Sequence, residues 1–121
     1  MQDNRINACY FRLSLEDGDV AAGNVTESCS IASQRLCVEQ FLGEHKELGD
    51  GFQEFIDDGY SGTSMERPAI RRLLGLVQQG MVKTIIVRDL SRFARNYLEA
   101  GHYLEFIFPA HGVRFISIND H

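Results

Sequence analysis

The stretch Thr84–Asn96, TIIVRDLSRFARN, changes character within a few residues: it opens as a short apolar run and turns polar and arginine-bearing at Arg88. Thr84–Val87 has the pattern of a buried strand, apolar after its first residue. Asp89–Asn96 follows as a polar connector in which Arg92 and Arg95 share a face, at i and i+3, where the segment is helical. What that change means depends on the fold, and the flanking sequence decides it.

On the amino-terminal side, Pro68 stands where a first helical turn tolerates it, and Ile70, Leu73, Leu74 and Val77 follow at i, i+3, i+4 and i+7 until Gly80. Before it, Asp58–Arg67 (DGYSGTSMER) is a loop rich in turn formers, and Phe52–Asp57 reads as a strand. Ser30 can cap a helix to about Leu42 that puts Ile31, Val38, Phe41 and Leu42 on one face. Leu15–Glu27 is acidic, lacks periodicity and reads as a loop, and Asn7–Leu13 is an apolar, aromatic strand after a polar lead-in.

On the carboxyl-terminal side, Tyr97–Phe108 reads as a helix, apolar on most sides and stopped by Pro109, that is buried or faces a partner subunit. Val113–Ile118 is a fourth strand. Strand and helix thus alternate through the chain. The expected fold class is α/β, a mainly parallel sheet of four or more strands flanked by helices, in one domain over residues 1–121.

In open parallel sheets, ligands sit beyond the carboxyl ends of the strands. Arg12 and Ser14 lie at the end of the first strand, Arg67 follows the second-strand loop, and Arg88, Arg92 and Arg95 follow the third strand. Arginines gathered there repel one another unless a polyanion is present, and a phosphate is the natural occupant. Ser14 is then a candidate nucleophile for covalent phosphoryl transfer, with arginines stabilising the charge of an in-line displacement. A lone Arg at a strand end is more often a solvated charge, and for Arg88 that plainer reading is favoured. Gln34 interrupts the apolar stripe of its helix and points inward, either into the site or as a buried amide satisfied by backbone.

Composition bears on the same question. The 121 residues carry a net charge of −5, which disfavours strong duplex binding by this chain alone, yet the cations are ten Arg against two Lys. No apolar run approaches the about 20 residues of a membrane span. Cys9, Cys29 and Cys37 form no CxxC pair and read as reduced thiols of a cytoplasmic protein. His45, His102, His111 and His121 lack metal-ligand spacing, so neither a metal nor a cofactor is expected.

Tyr10–Ser14 (YFRLS), Ser30–Gln34 (SIASQ), Asp57–Pro68 (DDGYSGTSMERP), Val87–Asn96 (VRDLSRFARN) and Phe108–Asp120 (FPAHGVRFISIND) together resemble the resolvase/invertase superfamily of serine recombinases, above all its large and transposon-excision branch. The resemblance implies a resolvase-like catalytic domain in which Ser14 is the nucleophile, Arg12, Arg67, Arg92 and Arg95 clamp phosphate, and Gln34 is an active-site glutamine. Asp58, Ser61, Ser91 and Arg88 fall on supporting or phosphate-binding positions. It implies double-stranded DNA as substrate, a 5′-phosphoserine intermediate, and dimers that join into a synaptic tetramer. It also implies further segments, an interface helix and DNA-binding domains, after His121. Ser91 stands where small resolvases commonly have Asp, and the acidic insertion after Ser14 is longer than theirs.

Two other classes compete. Cys29–Arg35 satisfies the bare C-x5-R pattern of cysteine phosphatases, but a polar segment and not a strand precedes the Cys, and the loop has no glycine to wrap an anion. A non-catalytic α/β interaction module, such as a phospho-acceptor receiver, needs carboxylates at the end of the first strand, where this chain has Arg12 and Ser14.

Overall fold

A computed structural model describes residues 4–13, 30–49, 51–59 and 66–120. Four strands, β1 (Ile6–Leu13), β2 (Gln53–Asp58), β3 (Val82–Val87) and β4 (Arg114–Ser117), form one sheet in the order β2-β1-β3-β4. All three pairings are parallel, as the alternation of elements requires. Each strand begins or ends within two residues of its sequence-based bound. Ile6 also belongs to the sheet and not to the lead-in, and its N–H is held by the Met81 carbonyl at 2.7 Å.

The connections decide which face each helix covers. From β1 the chain moves to one side to reach β2, and from β2 it returns past β1 to β3 and β4. Right-handed crossovers in opposite directions place their helices on opposite faces. Accordingly α1 (Ile31–Glu44) packs through Val38 on Cys9, Phe11, Ile86 and Ile116. On the other face, α2 (Pro68–Gln78) packs Ile70, Leu73, Leu74 and Val77 on Ala8, Tyr10, Phe55 and Ile85. Each such fully buried aliphatic side chain contributes about 1.5–3 kcal/mol. Gly80, at φ +74°, closes α2 in the left-handed conformation that favours glycine.

After β3 comes a single turn, α3 (Leu90–Phe93), and then Ala94 is extended at φ −158° and ψ 133°. The break has a cause: Asn96 must leave the helical conformation to cap α4 (Tyr97–His102), where its side chain accepts from Leu98 N–H and Glu99 N–H. The helix ends before Arg95, so the condition under which Arg92 and Arg95 share a helical face is not met.

The helix expected to stop at Pro109 runs through it, as a π turn over Tyr103–Ile107 and then α5 (Phe108–Ala110). Phe108 N–H reaches back five residues to the Tyr103 carbonyl. A proline inside a regular helix lacks its own bond and crowds the carbonyl four residues back. The wider turn ahead of Pro109 absorbs that crowding. Tyr103 and Phe108 then pack with Phe93 and Phe115, the Phe108 and Phe115 rings stacked at 5.4 Å.

Candidate active site at the carboxyl ends of β1 and β3

The sheet changes direction of winding between β1 and β3, and there the two strands part. Their pairing ends at Cys9 and Ile86, while β1 stays paired with β2 to Leu13. Past that point the backbone of Arg12 no longer meets β3. Gln34, fully buried on α1, fills the gap: its Oε1 accepts Arg12 N–H at 3.1 Å and its Nε2 donates to Arg12 O at 2.9 Å. The inward glutamine is thus a backbone lock that carries the sheet edge on where the strands separate.

Arg92 Nη1 donates to the same Arg12 carbonyl at 3.1 Å. In return, Arg12 donates from Nε to Arg92 O at 3.1 Å and from Nη2 to Ser91 O at 2.7 Å. Arg67, just before Pro68, donates from Nη1 to Arg92 O at 3.2 Å and from Nη2 to Phe93 O. A helix of one turn has no internal partners for these last carbonyls. Two guanidiniums supply them, with the cationic end at the negative end of the turn. Arg12, Arg67 and Arg92 are only 0, 1 and 4% exposed. The arrangement is a buried layer.

Two residues that sequence reasoning did not single out complete the layer. Arg67 Nη1 also donates to Tyr10 Oη at 2.8 Å, and Tyr10 donates to Asp57 Oδ2 at 2.8 Å. Asp57 in turn accepts Ala69 N–H at 2.9 Å and Ile70 N–H at 3.0 Å, which caps α2 from a neighbouring strand. Burial pushes the Tyr10 hydroxyl above its ordinary range despite the nearby Arg67 charge, so it stays a donor to Asp57. The available signal was strand parity. Phe55 and Asp57 alternate inward, while Asp58, the candidate supporting residue, is exposed at the end of β2.

Around the turn, Arg88 Nε donates to Asp89 Oδ2 at 2.9 Å and Ser91 Oγ donates to Asp89 Oδ1 at 2.5 Å. Arg92 Nε lies 3.7 Å from the same Oδ1. Burial alone would raise the Asp89 carboxyl, but the Ser91 and Arg88 hydrogen bonds and the charges of Arg88 and Arg92 hold it below the ordinary carboxylate range. Arg95 is exposed. Ser14 and Ser61 lie outside the described residues, as do the acidic segment after Ser14 and Cys29.

Of the rival C-x5-R segment, Ser30–Arg35 lies within the described residues. Arg35 donates to the Glu54 carboxylate at 2.7 and 3.0 Å and lies over the Phe11 ring. Burial pushes the Cys9 thiol up to about 12, the state of an inert core cysteine. Among the described residues, no group of three or more His, Cys, Asp or Glu could hold a metal ion, and no helix is long and apolar enough to cross a membrane. A cleft of about 670 Å³ lined by Glu39, Leu42, Lys46 and Phe52 lies at the opposite end of the sheet, away from the arginines. Volume and chemistry point to different places, and the convergent buried charges are the stronger sign of a site.

Comparison with known proteins agrees with the geometry. The family described as resolvase, N-terminal domain, matches residues 7–121. Among solved structures, the chain is similar to the N-terminal catalytic domain of TP901-1 integrase, with a TM-score of 0.69 and 24% identity over 96% of this chain and 78% of that one. It is similar to a serine recombinase from Sulfolobus solfataricus, with a TM-score of 0.61 and 24% identity over 97% of this chain and 70% of that one. The product of the first open reading frame in transposon ISC1904 from Sulfolobus solfataricus P2 gives a TM-score of 0.65 and 22% identity over 96% and 69%. At these identities the structural likeness establishes the fold. No curated protein sequence matches the chain.

Proposed function

We propose, from the premise that this chain belongs to the resolvase N-terminal domain family and is a serine site-specific recombinase catalytic domain, that Ser14 cleaves DNA at the arginine layer beyond β1 and β3. The observation that carries this reading is the mutual bonding of three buried arginines beyond β1 and β3: Arg12 and Arg67 donate to the Arg92 carbonyl, and Arg92 donates to the carbonyl of Arg12, two residues before Ser14 in sequence. Positive charge fixed in a desolvated layer acts on a nearby phosphate far more strongly than the same charge in water.

In this mechanism the Ser14 Oγ–P bond forms and the P–O3′ bond of the scissile phosphodiester breaks. The serine proton is lost and the leaving 3′ oxygen takes up a proton, which leaves a 5′-phosphoserine link and a free 3′-hydroxyl. The arginine layer, with Arg95 reaching from its exposed position, stabilises the charge of the phosphorane-like state. Arg88 and Ser91 support it through Asp89, Gln34 holds the strand that aims Arg12, and Asp58 and Ser61 take the supporting roles that the family resemblance gives them. The bond energy is kept in the phosphoserine, so the 3′-hydroxyl of an exchanged strand reverses the step without nucleotide or metal.

The family acts on DNA and oligomerises in general. For this chain the specific partners are recombination sites in duplex DNA, a second copy to form a dimer, and two dimers to form a synaptic tetramer. At a net charge of −5, residues 1–121 bind duplex weakly by themselves at physiological salt. The free thiols of Cys9 and Cys37 fit a reducing, cytoplasmic setting.

The test is to incubate the intact protein with a crossover site that traps cleaved DNA and to map the adduct by mass spectrometry. The expected adduct is on the peptide containing Ser14, absent in Ser14→Ala. An adduct on Ser91 or Tyr97, or cleavage that survives Ser14→Ala, refutes the assignment.

A further inference from the structure

Asp89 enters the cleavage mechanism only through its neighbours Arg88 and Ser91. It stands at the N-cap of α3, where a carboxylate ordinarily accepts the first backbone N–H groups of the helix, yet it makes no such bond. Its two oxygens go instead to side chains: Oδ2 to Arg88 Nε, and Oδ1 to Ser91 Oγ with Arg92 Nε at 3.7 Å. The carboxylate is four-fifths buried, so these interactions are poorly screened. Arg92 lies between two groups, with the Asp89 carboxylate at ion-pair distance from Nε and the Arg12 carbonyl accepting from Nη1.

We propose that Asp89 is a positioning residue for cleavage, whose negative charge sets the direction of the Arg92 guanidinium before DNA arrives. This rests on the reading of Ser14 and Arg92 as parts of one phosphate site. The reason the group must be charged is electrostatic. Arg12, Arg67, Arg88 and Arg92 are all drawn to one short turn, and like charges in a desolvated layer spread apart unless an anion lies among them. Asp57 serves the Tyr10 and Arg67 side of the layer, and Asp89 serves the Arg88 and Arg92 side.

The experiment compares intact wild-type protein with Asp89→Asn, Asp89→Glu and Ser91→Ala. It uses single-turnover formation of the Ser14 adduct at saturating protein, together with duplex affinity. Asp89→Asn keeps the shape and loses the charge. It is expected to slow adduct formation by about 10–100-fold, the scale of a misplaced catalytic group. Affinity for the duplex stays the same or tightens, since one negative charge is gone. Asp89→Glu recovers part of the rate, and Ser91→Ala, which removes one bond to Asp89, slows it less than Asp89→Asn. Wild-type rate in Asp89→Asn overturns the proposal, as does a Glu variant no better than Asn with both rate and affinity lost together. If Asp89→Asn does not fold, an unchanged rate in Ser91→Ala overturns it. Absence of any Ser14 adduct in wild-type protein is a separate failure, that of the underlying mechanism.

Discussion

Arginine is used in two ways on this small domain. At the carboxyl ends of β1 and β3, Arg12 and Arg67 are buried and donate to backbone carbonyls of one helical turn. On the outer surface, Arg35 pairs with Glu54, and Arg71 with Glu66, across side chains open to solvent. The surface pairs carry their own counter-charge and salt screens them. The buried arginines donate to backbone carbonyls in a layer where water screens charge poorly. That difference separates a solvated face from a site able to attract phosphate, and four substitutions test it.

The largest effect belongs to Arg67→Ala. It takes the donor from the Phe93 carbonyl in a dry layer, where an orphaned group costs about 1–3 kcal/mol, and removes one bond each from Tyr10 Oη and the Arg92 carbonyl, which keep Asp57 and Arg12. A loss on the order of 3 kcal/mol in urea denaturation is expected. A loss below about 1 kcal/mol breaks the comparison, because Arg67 then behaves as a surface residue.

Gln34→Ala comes next. Arg12 O keeps its bond from Arg92, but Arg12 N–H loses its acceptor, so about 1–3 kcal/mol is expected by the same measurement.

Asp89→Asn gives a smaller loss with a distinctive pH profile. The Asp89 pKa is lowered in the folded protein, so its contribution is present above the unfolded carboxylate pKa and is lost as pH falls through the folded one. The groups facing it are Arg88, Ser91 and Arg92, with Cys37 approaching from α1. Wild type and Asp89→Asn therefore differ in denaturation midpoint at pH 7 and converge below the ordinary carboxylate range. A constant difference across that range refutes the charge-based account.

The smallest effect is that of Arg35→Ala, which leaves adduct formation unchanged and moves the denaturation midpoint little at physiological salt.

The sequence disclosed the elements better than the layer they build. The strands and α2 were legible because apolar residues recur with the period of their element, and the parallel sheet followed from the order. Arg12, Arg67 and Arg92 were legible because strand ends are where parallel sheets place chemistry. Their burial was not, because it depends on β1 and β3 parting after Cys9 and Ile86, and pairing between distant strands leaves no local pattern. Asp57 and Asp58 are chemically identical neighbours, and only the pleat tells the inward one from the outward one. Asp89 appeared in the sequence only as the first residue of a polar connector. That it turns from backbone to side chains is a fact of three dimensions.

The π turn over Tyr103–Ile107 has a consequence of its own. A wide turn accommodates one residue more than an α-helical ladder does, and one residue is about 100° of rotation around a helix axis. Residues before and after it thus keep different phases. Ahead of it, Tyr97 and Leu98 look outward at 86% and 82% exposure, and behind it Phe108 enters the aromatic stack under the sheet. Removing one residue from the turn would restore a single phase and swing Phe108 away from Phe115. The extra residue works as an angular offset, letting one continuous helix address the core at one end and the surroundings at the other.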